Sequence, residues 1–396
     1  MFTVQQLMPE QIDDLVVIQG NLLPATADLR DAYTRGLKDG KFYGVVEEGR
    51  VVGAYASSGI SITVPGGQTV RAEIFSDAAV LPTHRRRGIL RSMMSHHVQD
   101  AAENGASLSL LQATEPDIYG RFEYGAASMR LSLKIESRNV YIPSAVGDRQ
   151  SVELTIMNSE AAIPLCEEIR RSLMSSRQGW AQREPANPDR WAGDNSLRYL
   201  MARRDGVYTG YARYSVRPDN QMSKGAVTVW EIESGDAESR REIWSFLLSL
   251  DLVDTVFVNS LPIDDPLLSM ASDIRRCHIT LQDDFYLRLL DIRAALIARQ
   301  YASPIDVVLE VSDDLTPENS GRWHLTSDGV TSDCGRTEKP ADLILAGRDL
   351  ARTYLGGSTL DGLARAGRVA ELRKGALRHA SSALAVSEAP WIPTYI

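Results

Sequence analysis

Residues 9 to 20, PEQIDDLVVIQG, place apolar side chains at helical spacing between a proline and a glycine, which predicts a helix. FYGVVEEGRVVGAYASSGI then alternates as strand, turn, strand, with Glu48-Gly49 at the turn. VRAEIFSDAAVLP predicts another strand, and residues 86 to 103 a helix that ends near Gly105. SLSLLQA reads as a short buried strand and YGAASMRLSLKIE as one more strand. Strands alternating with helices in this order indicate an α/β domain with a mixed sheet.

The pattern recurs. Gly49 and Gly53 have counterparts in Gly206 and Gly210, at the same mutual spacing and in the same strand-turn-strand setting. Each pair is followed by a long strand, a polar stretch that opens a helix, and a short apolar strand; the second version is VTVWEIESGDAESRREIWSFLLSLDLVDTVFVNSL. Residues 151 to about 287 therefore read as a second copy of one α/β unit. From about residue 288 the character changes. LLDIRAALIARQYA predicts an amphipathic helix, and DVVLEVSD and GRWHLTSDG predict strands. ADLILAGRDLARTYL is a strand running into a helix, and LDGLARAGRVAELRKGALRHASSALAVS reads as helical. This is an α+β module without a catalytic cluster; its His324 and His379 are isolated in sequence.

The 396 residues carry 43% hydrophobic and 24% charged positions, as a globular protein of two or three domains does. The net charge of −9 argues against a general nucleic-acid binder and suits attraction of cationic small molecules. Cys166, Cys277 and Cys334 are far apart and form no CxxC pair, which predicts buried reduced thiols and no metal site. The first residues lack the basic start and apolar core of a secretory signal, and no stretch approaches 18 uninterrupted apolar positions. The expectation is a soluble, cytoplasmic chain without a membrane span.

The two copies differ where chemistry would lie. The first has His84-Arg85-Arg86-Arg87-Gly88 between strand and helix; the second has Glu238-Ser239-Arg240-Arg241-Glu242, with acids and no glycine. Helix N-termini attract anions through unpaired N–H groups and the helix dipole. Gly88 would let a diphosphate reach the backbone, and the arginines would add charge-assisted contacts. Three arginines in a row are also a common solvated face. The loop is neither a Walker sequence nor a dinucleotide GxGxxG.

VLPTHRRRGILR together with TEPDIYGRFEYGAAS resembles the acetyl-CoA-dependent GNAT acetyltransferases of the enhanced-intracellular-survival (Eis) group. The resemblance covers the whole chain and implies an α/β (α+β) protein. It comprises a catalytic GNAT domain over 1–145, a degenerate GNAT-like domain over 146–287, and a sterol-carrier-protein-like domain over 288–396. In ordinary GNAT enzymes the loop reads Gln/Arg-x-x-Gly-x-Gly/Ala; here the last position is Leu90. The resemblance implies that Ala78, Ala79 and Val80 pair with the pantetheine arm of acetyl-CoA. Arg86, Arg87, Gly88, Ile89, Leu90 and Arg91 would hold the pyrophosphate, and Thr114 and Glu115 would edge the cofactor. Tyr119 would act as general acid and the carboxylate of Ile396 as general base. It further implies a primary-amine acceptor, an aminoglycoside first, hence antibiotic resistance, and a homo-oligomer, a hexamer. Lysine side chains, peptide-antibiotic amines and a non-catalytic CoA- or lipid-binding role are the alternatives.

The chemistry assigned to Tyr119 is reasonable. A phenol with a pKa of about 10 can protonate a thiolate whose conjugate acid lies at about 8.5. A terminal carboxylate, at about 3.5, is a weak base and needs a dry pocket or a relaying water. Departures from the family pattern concentrate on the acceptor side. Asp77 stands where an aromatic is associated with aminoglycoside-acetylating members, Tyr395 where an acid would help hold a polycation, and Glu123 where glycine is common. Tyr33 remains as an aromatic of the N-terminal segment. Tyr33, Asp77 and Tyr395 are the candidate acceptor residues.

Overall fold

The computed structural model describes residues 2–20, 27–144, 151–182, 196–218 and 224–392. The chain forms two units, Met1–Ala127 with Phe285–Val386, and Ser128–Asp284 with Ser387–Ile396.

The first unit is built on a sheet of β1 (Gln5–Gln6), β2 (Phe42–Glu47), β3 (Arg50–Thr63), β4 (Thr69–Val80), β5 (Leu108–Gln112) and β6 (Gly125–Ala126). Between β5 and β6 lies a strand from much later in the chain, Phe285–Leu289. The β4–β5 pair is parallel; its neighbours are antiparallel. Two helices, α1 (Ile12–Gly20) and α2 (Ala27–Lys38), cover one face, where Leu15, Ile18, Tyr33 and Leu37 pack on Phe42, Val51 and Ala54. Helix α3 (Ile89–Glu103) covers the other, burying Ile89, Met93, Met94 and Val98 against Val45, Val52, Tyr55 and Phe75. Full burial of each such side chain stabilises the unit by about 1.5–3 kcal/mol.

YGAASMRLSLKIE is not one strand. Its first part is β6, paired with Tyr286 and Leu287 in the first sheet. Its second part, β7 (Met129–Glu136), pairs with Val253–Pro262 and Ile279–Asp283 in the second sheet. An alternating pattern continues unbroken when the chain leaves one sheet for another, so periodicity carries no mark of the crossing. The units divide at 127/128 and 284/285. The sequence-placed boundaries, 145/146 and 287/288, fall after β7 and inside the strand Phe285–Leu289.

The second unit repeats the first. Its turn Asp205-Gly206 has φ values of 51° and 81°, against 51° and 79° at Glu48-Gly49. Both are left-handed pairs that suit a tight hairpin. A Cβ on Gly53 would come within 2.6 Å of Ile89, and one on Gly210 within 3.2 Å of Ile243. Each glycine thus lets the crossover helix lie close on its sheet.

The third sheet has the order Ser332–Arg336, Gly321–Ser327, Ile305–Ser312, Leu343–Ala346, Val369–Glu371. The segment from Leu360 is two helices, Leu360–Arg365 and Ala376–Ala383, with the strand Val369–Glu371 between them, rather than one helical stretch. Gly367 and Gly375, at φ 71° and 91°, break it. Likewise LLDIRAALIARQYA begins in the strand Phe285–Leu289 and is helical only over Ile292–Ala298. Cys166, Cys277 and Cys334 are buried. Among the described residues no helix is long and apolar enough to cross a membrane.

Candidate active site

The parallel pairing of β4 with β5 runs only from Ala72 to Ile74, opposite Leu108 to Leu110. Beyond it the two strands part. On its other edge β4 continues to pair with β3 up to Val80, opposite Gly53. The Leu81 N–H bonds the Val52 carbonyl at 3.0 Å. Backbone groups alternate along an antiparallel strand, so the Val80 and Ala78 amides face the opening toward β5. Ala78 and Val80 therefore offer free strand edge to one side of a cleft, while Ala79 between them turns its backbone to Ala54 of β3. The register slips between Ala54 and Ala56, and Asp77 at the slip has φ 49°. This is a β-bulge, and it turns the Asp77 side chain into solvent.

The basic loop follows directly. Helix α3 begins at Ile89, not at residue 86, because Gly88 is its N-cap at φ 91°. No side chain caps it, and nothing lies within 4 Å of where a Gly88 Cβ would be. The first-turn amides of Ile89, Leu90 and Arg91 have no partner earlier in the helix. The arginines are not equivalent. Arg87 makes a bidentate pair with Glu47 at 3.0 and 2.8 Å. Arg85 reaches the Val80 carbonyl at 3.4 Å. Arg86 and Arg91 are exposed and make no ion pair among the described residues. The corresponding helix of the second unit, Ala237–Leu248, is capped by Asp236, whose Oδ1 accepts the Ser239 N–H at 2.8 Å. A carboxylate of the protein occupies the place that is open in the first unit.

Thr114 and Glu115 follow β5 and are exposed. The next turn, Pro116–Tyr119 (α4), brings Tyr119 back to the cleft. Its ring meets the edge of Phe75, the first β4 residue beyond the β5 pairing, at 6.5 Å, and that of Tyr124 at 6.5 Å. Tyr119 is only 8% exposed. Burial, and then the nearby Glu115 carboxylate, push its hydroxyl above the ordinary tyrosine range. It stays protonated at neutral pH, and its hydroxyl has no hydrogen-bond partner among the described residues.

Tyr33 and Asp77 are brought together. The Tyr33 hydroxyl donates to Asp77 Oδ1 at 3.3 Å, and the Ser76 hydroxyl to Oδ2 at 3.1 Å. Buried Gln19 donates to the Asp77 carbonyl. Burial first, and then the Asp77 carboxylate, raise the Tyr33 hydroxyl well above its usual range. Tyr395 and Ile396 lie outside the described residues.

Sequence reasoning missed a buried polar chain under the cleft. His97 Nε2 meets Ser109 Oγ at 2.8 Å, and Ser109 Oγ meets the Tyr124 hydroxyl at 2.6 Å. On the other side His97 Nδ1 meets Ser57 Oγ at 3.2 Å, and Ser57 donates to Glu73 at 3.3 Å. Burial pushes the His97 imidazole down to about 3, so it is neutral and joins two hydroxyls. The helical spacing of His97 on the buried face of α3 was the available signal.

Three segments match known domain families. Residues 9–127 and 173–289 each match an acetyltransferase (GNAT) domain, and residues 292–393 match a sterol carrier protein domain. An uncharacterised N-acetyltransferase of Streptomyces avermitilis is 39% identical over 360 residues, which covers 88% of each chain. The N-acetyltransferase Eis of Mycobacterium tuberculosis is 30% identical over 353 residues, 85% of this chain and 83% of its own. The chain belongs to the Eis-type GNAT N-acetyltransferase family. Eis1 of Mycobacterium abscessus matches this Eis-type chain with a TM-score of 0.83 at 27% identity, over the full length of both. A GCN5-related N-acetyltransferase of Anabaena variabilis, 21% identical, shares the fold at a TM-score of 0.86. The tandem GNAT and sterol-carrier-like architecture expected from the Eis resemblance is thus found, and the chain is an N-acetyltransferase.

Proposed function

We propose that this N-acetyltransferase moves the acetyl group of acetyl-CoA onto a primary amine of a cationic small molecule, with aminoglycosides the first class to test. Acetyl-CoA would supply an activated thioester. The single observation that carries the cofactor assignment is the contrast between the two units: the first-unit helix opens on a bare left-handed glycine, and its counterpart is closed by Asp236. Gly88 and the amides of Ile89, Leu90 and Arg91 would bind the diphosphate, with Arg86 and Arg91 adding charge. Arg87 would join only by giving up part of its pair with Glu47. Of Ala78, Ala79 and Val80, the first and last would offer strand edge to the pantetheine amides, and the Val80 N–H would meet the acetyl oxygen as it gains charge. Thr114 and Glu115 would border the opposite side.

Tyr119 would donate its proton to the departing thiolate; its place beside Phe75 at the cleft and its hydroxyl, unpartnered among the described residues, support that role. The general-base role of the Ile396 carboxylate rests on the family resemblance alone. Asp77, exposed on its bulge and paired with Tyr33, would hold an ammonium group of the acceptor. Its single carboxylate favours a cationic amine over a neutral one.

The test is a thiol-release assay with acetyl-CoA and a panel of aminoglycosides, lysine peptides and simple polyamines. We expect release with at least one aminoglycoside, and Tyr119→Phe to lower kcat by about 100-fold or more. Arg86→Ala should raise the acetyl-CoA KM by roughly tenfold, the worth of one charge-assisted contact. Turnover only with lysine peptides would move the acceptor to protein side chains. A Tyr119→Phe enzyme with wild-type kcat would remove the general acid.

A further inference from the structure

The loop that carries Tyr119 has little internal support. After Pro116–Tyr119 come a 3₁₀ turn over Gly120–Phe122 and Glu123 at φ 62°. The internal bond that spans it, from the Tyr124 N–H to the Tyr119 carbonyl, is 3.3 Å long. The Ile118 N–H bonds the Glu115 carbonyl and the Gly120 N–H that of Pro116, and three further anchors come from residues far along the chain, within the same unit. Arg348 Nη1 donates to the Gly120 carbonyl at 3.2 Å, and Arg288 Nη1 to the Phe122 carbonyl at 2.6 Å. Arg288 is itself fixed by both oxygens of Asp313, at 2.9 and 2.7 Å, and by Thr316.

The third anchor runs the other way. Glu123 Oε2 accepts the Arg348 N–H at 2.9 Å, at the start of the helix Gly347–Tyr354. That helix has no side-chain cap of its own, so Glu123 supplies one from the first domain. A left-handed φ costs a side-chain-bearing residue roughly 1 kcal/mol that glycine avoids, and Glu123 occupies it with 8% exposure. The helix lies so close that a Cβ on Gly125 would overlap the Arg348 carbonyl oxygen. Tyr124 meanwhile points into the first domain and bonds Ser109. Loop residues 120 to 125 are thus gripped between the two domains of one unit.

We propose that Glu123, Arg348 and Arg288 are positioning residues for Tyr119, and that the sterol-carrier-like module serves acetyl transfer by fixing the loop that carries the proton donor. This rests on the reading of Tyr119 as general acid. A donor displaced by about 1 Å loses on the order of 100-fold in rate, and the contacts from Arg288 and Arg348 fix the backbone on the far side of Tyr119 to within that tolerance. The diphosphate and pantetheine contacts proposed above lie on α3 and β4, away from residues 120 to 125.

The test uses the full-length enzyme and compares Glu123→Gly, which relaxes the backbone and removes the carboxylate, with Glu123→Gln, which keeps an acceptor oxygen. Glu123→Gly should lower kcat about tenfold and leave the acetyl-CoA KM within about twofold. Glu123→Gln should recover most of the loss. Placed in a Tyr119→Phe background, Glu123→Gly should cost nothing further, because both changes act on one proton transfer. A purely structural role would instead lower activity and thermal stability together, and equally in that background. Wild-type kcat in Glu123→Gly, no rescue by Glu123→Gln, or additive losses in the double variant would each overturn the proposal. If Tyr119→Phe alone kept wild-type kcat, the general-acid reading would fail; an inactive Tyr119→Phe with an intact Glu123→Gly would sink only the positioning.

Discussion

His97 is 1% exposed and is held between Ser57 and Ser109 as a neutral ring. In the unfolded chain it would titrate near 6.5; folded, burial lowers that to about 3. The folded protein therefore binds fewer protons than the unfolded one across that interval. The His97 contribution to stability is complete above pH 6.5 and is lost as the pH falls toward 3, on the order of a few kcal/mol in all. We expect His97→Gln to be less stable than wild type at pH 7 but to lose less stability between pH 6.5 and 4. Urea unfolding at a series of pH values measures the slope, and equal slopes would refute the assignment. The turn at Tyr119 and the glycine before the crossover helix were legible in the sequence because each is a local feature. Glu123 was visible only as an oddity, since its partner lies 225 residues away and no spacing rule connects them. Arg288 and Phe122, 166 residues apart, were invisible for the same reason.

Among the elements, the two crossover helices share one scaffold and differ at their starts. Both follow the last antiparallel strand of a hairpin and both pack an isoleucine on a glycine, Ile89 on Gly53 and Ile243 on Gly210. Their starts differ above all in the cap. Asp236 accepts from the backbone and hydroxyl of Ser239 at 2.8 and 2.9 Å and pairs with Arg204 at 3.2 Å. Asp236→Ala should therefore lower stability by about 0.5–2 kcal/mol, as loss of a helix cap does. Acetyl-transfer kinetics should stay as in the wild type if, as proposed, the diphosphate binds at Gly88 of the first unit. A thermal melt beside steady-state kinetics checks both halves, and a changed acetyl-CoA KM would contradict the division of labour. The repeat itself was legible from glycine spacing and element order. The segment from Leu360 to Val386 was not, because its apolar residues keep helical spacing across Gly367 and Gly375, whose left-handed φ values let in the strand Val369–Glu371.

At the scale of the molecule, the decisive fact is a crossing of strands between the repeats. The chain completes most of the first sheet, leaves it at Ala127, lays β7 into the second sheet, and returns with Phe285–Leu289 between β5 and β6. That returning strand pairs along the whole of β5, from Gln112 to Leu108. It also carries Arg288, which holds the Phe122 carbonyl. A piece cut at the boundary drawn from sequence, residues 1–145, would expose the buried edge of β5 and lose all three anchors that Arg288 and Arg348 give the Tyr119 loop. It would also carry β7 without the strands that flank it. An unpaired buried edge of this kind invites aggregation. We expect the 1–145 fragment to show no cooperative melting transition and to be digested rapidly by protease. Produced together with residues 146–396, it should regain a single transition and acetyl-transfer activity, because every missing strand is then supplied by the other piece. Circular dichroism melts and limited proteolysis of the fragment, alone and co-expressed, decide this. A 1–145 fragment that melted sharply by itself would show that the first sheet closes without its borrowed strand, and that the crossing serves assembly rather than folding.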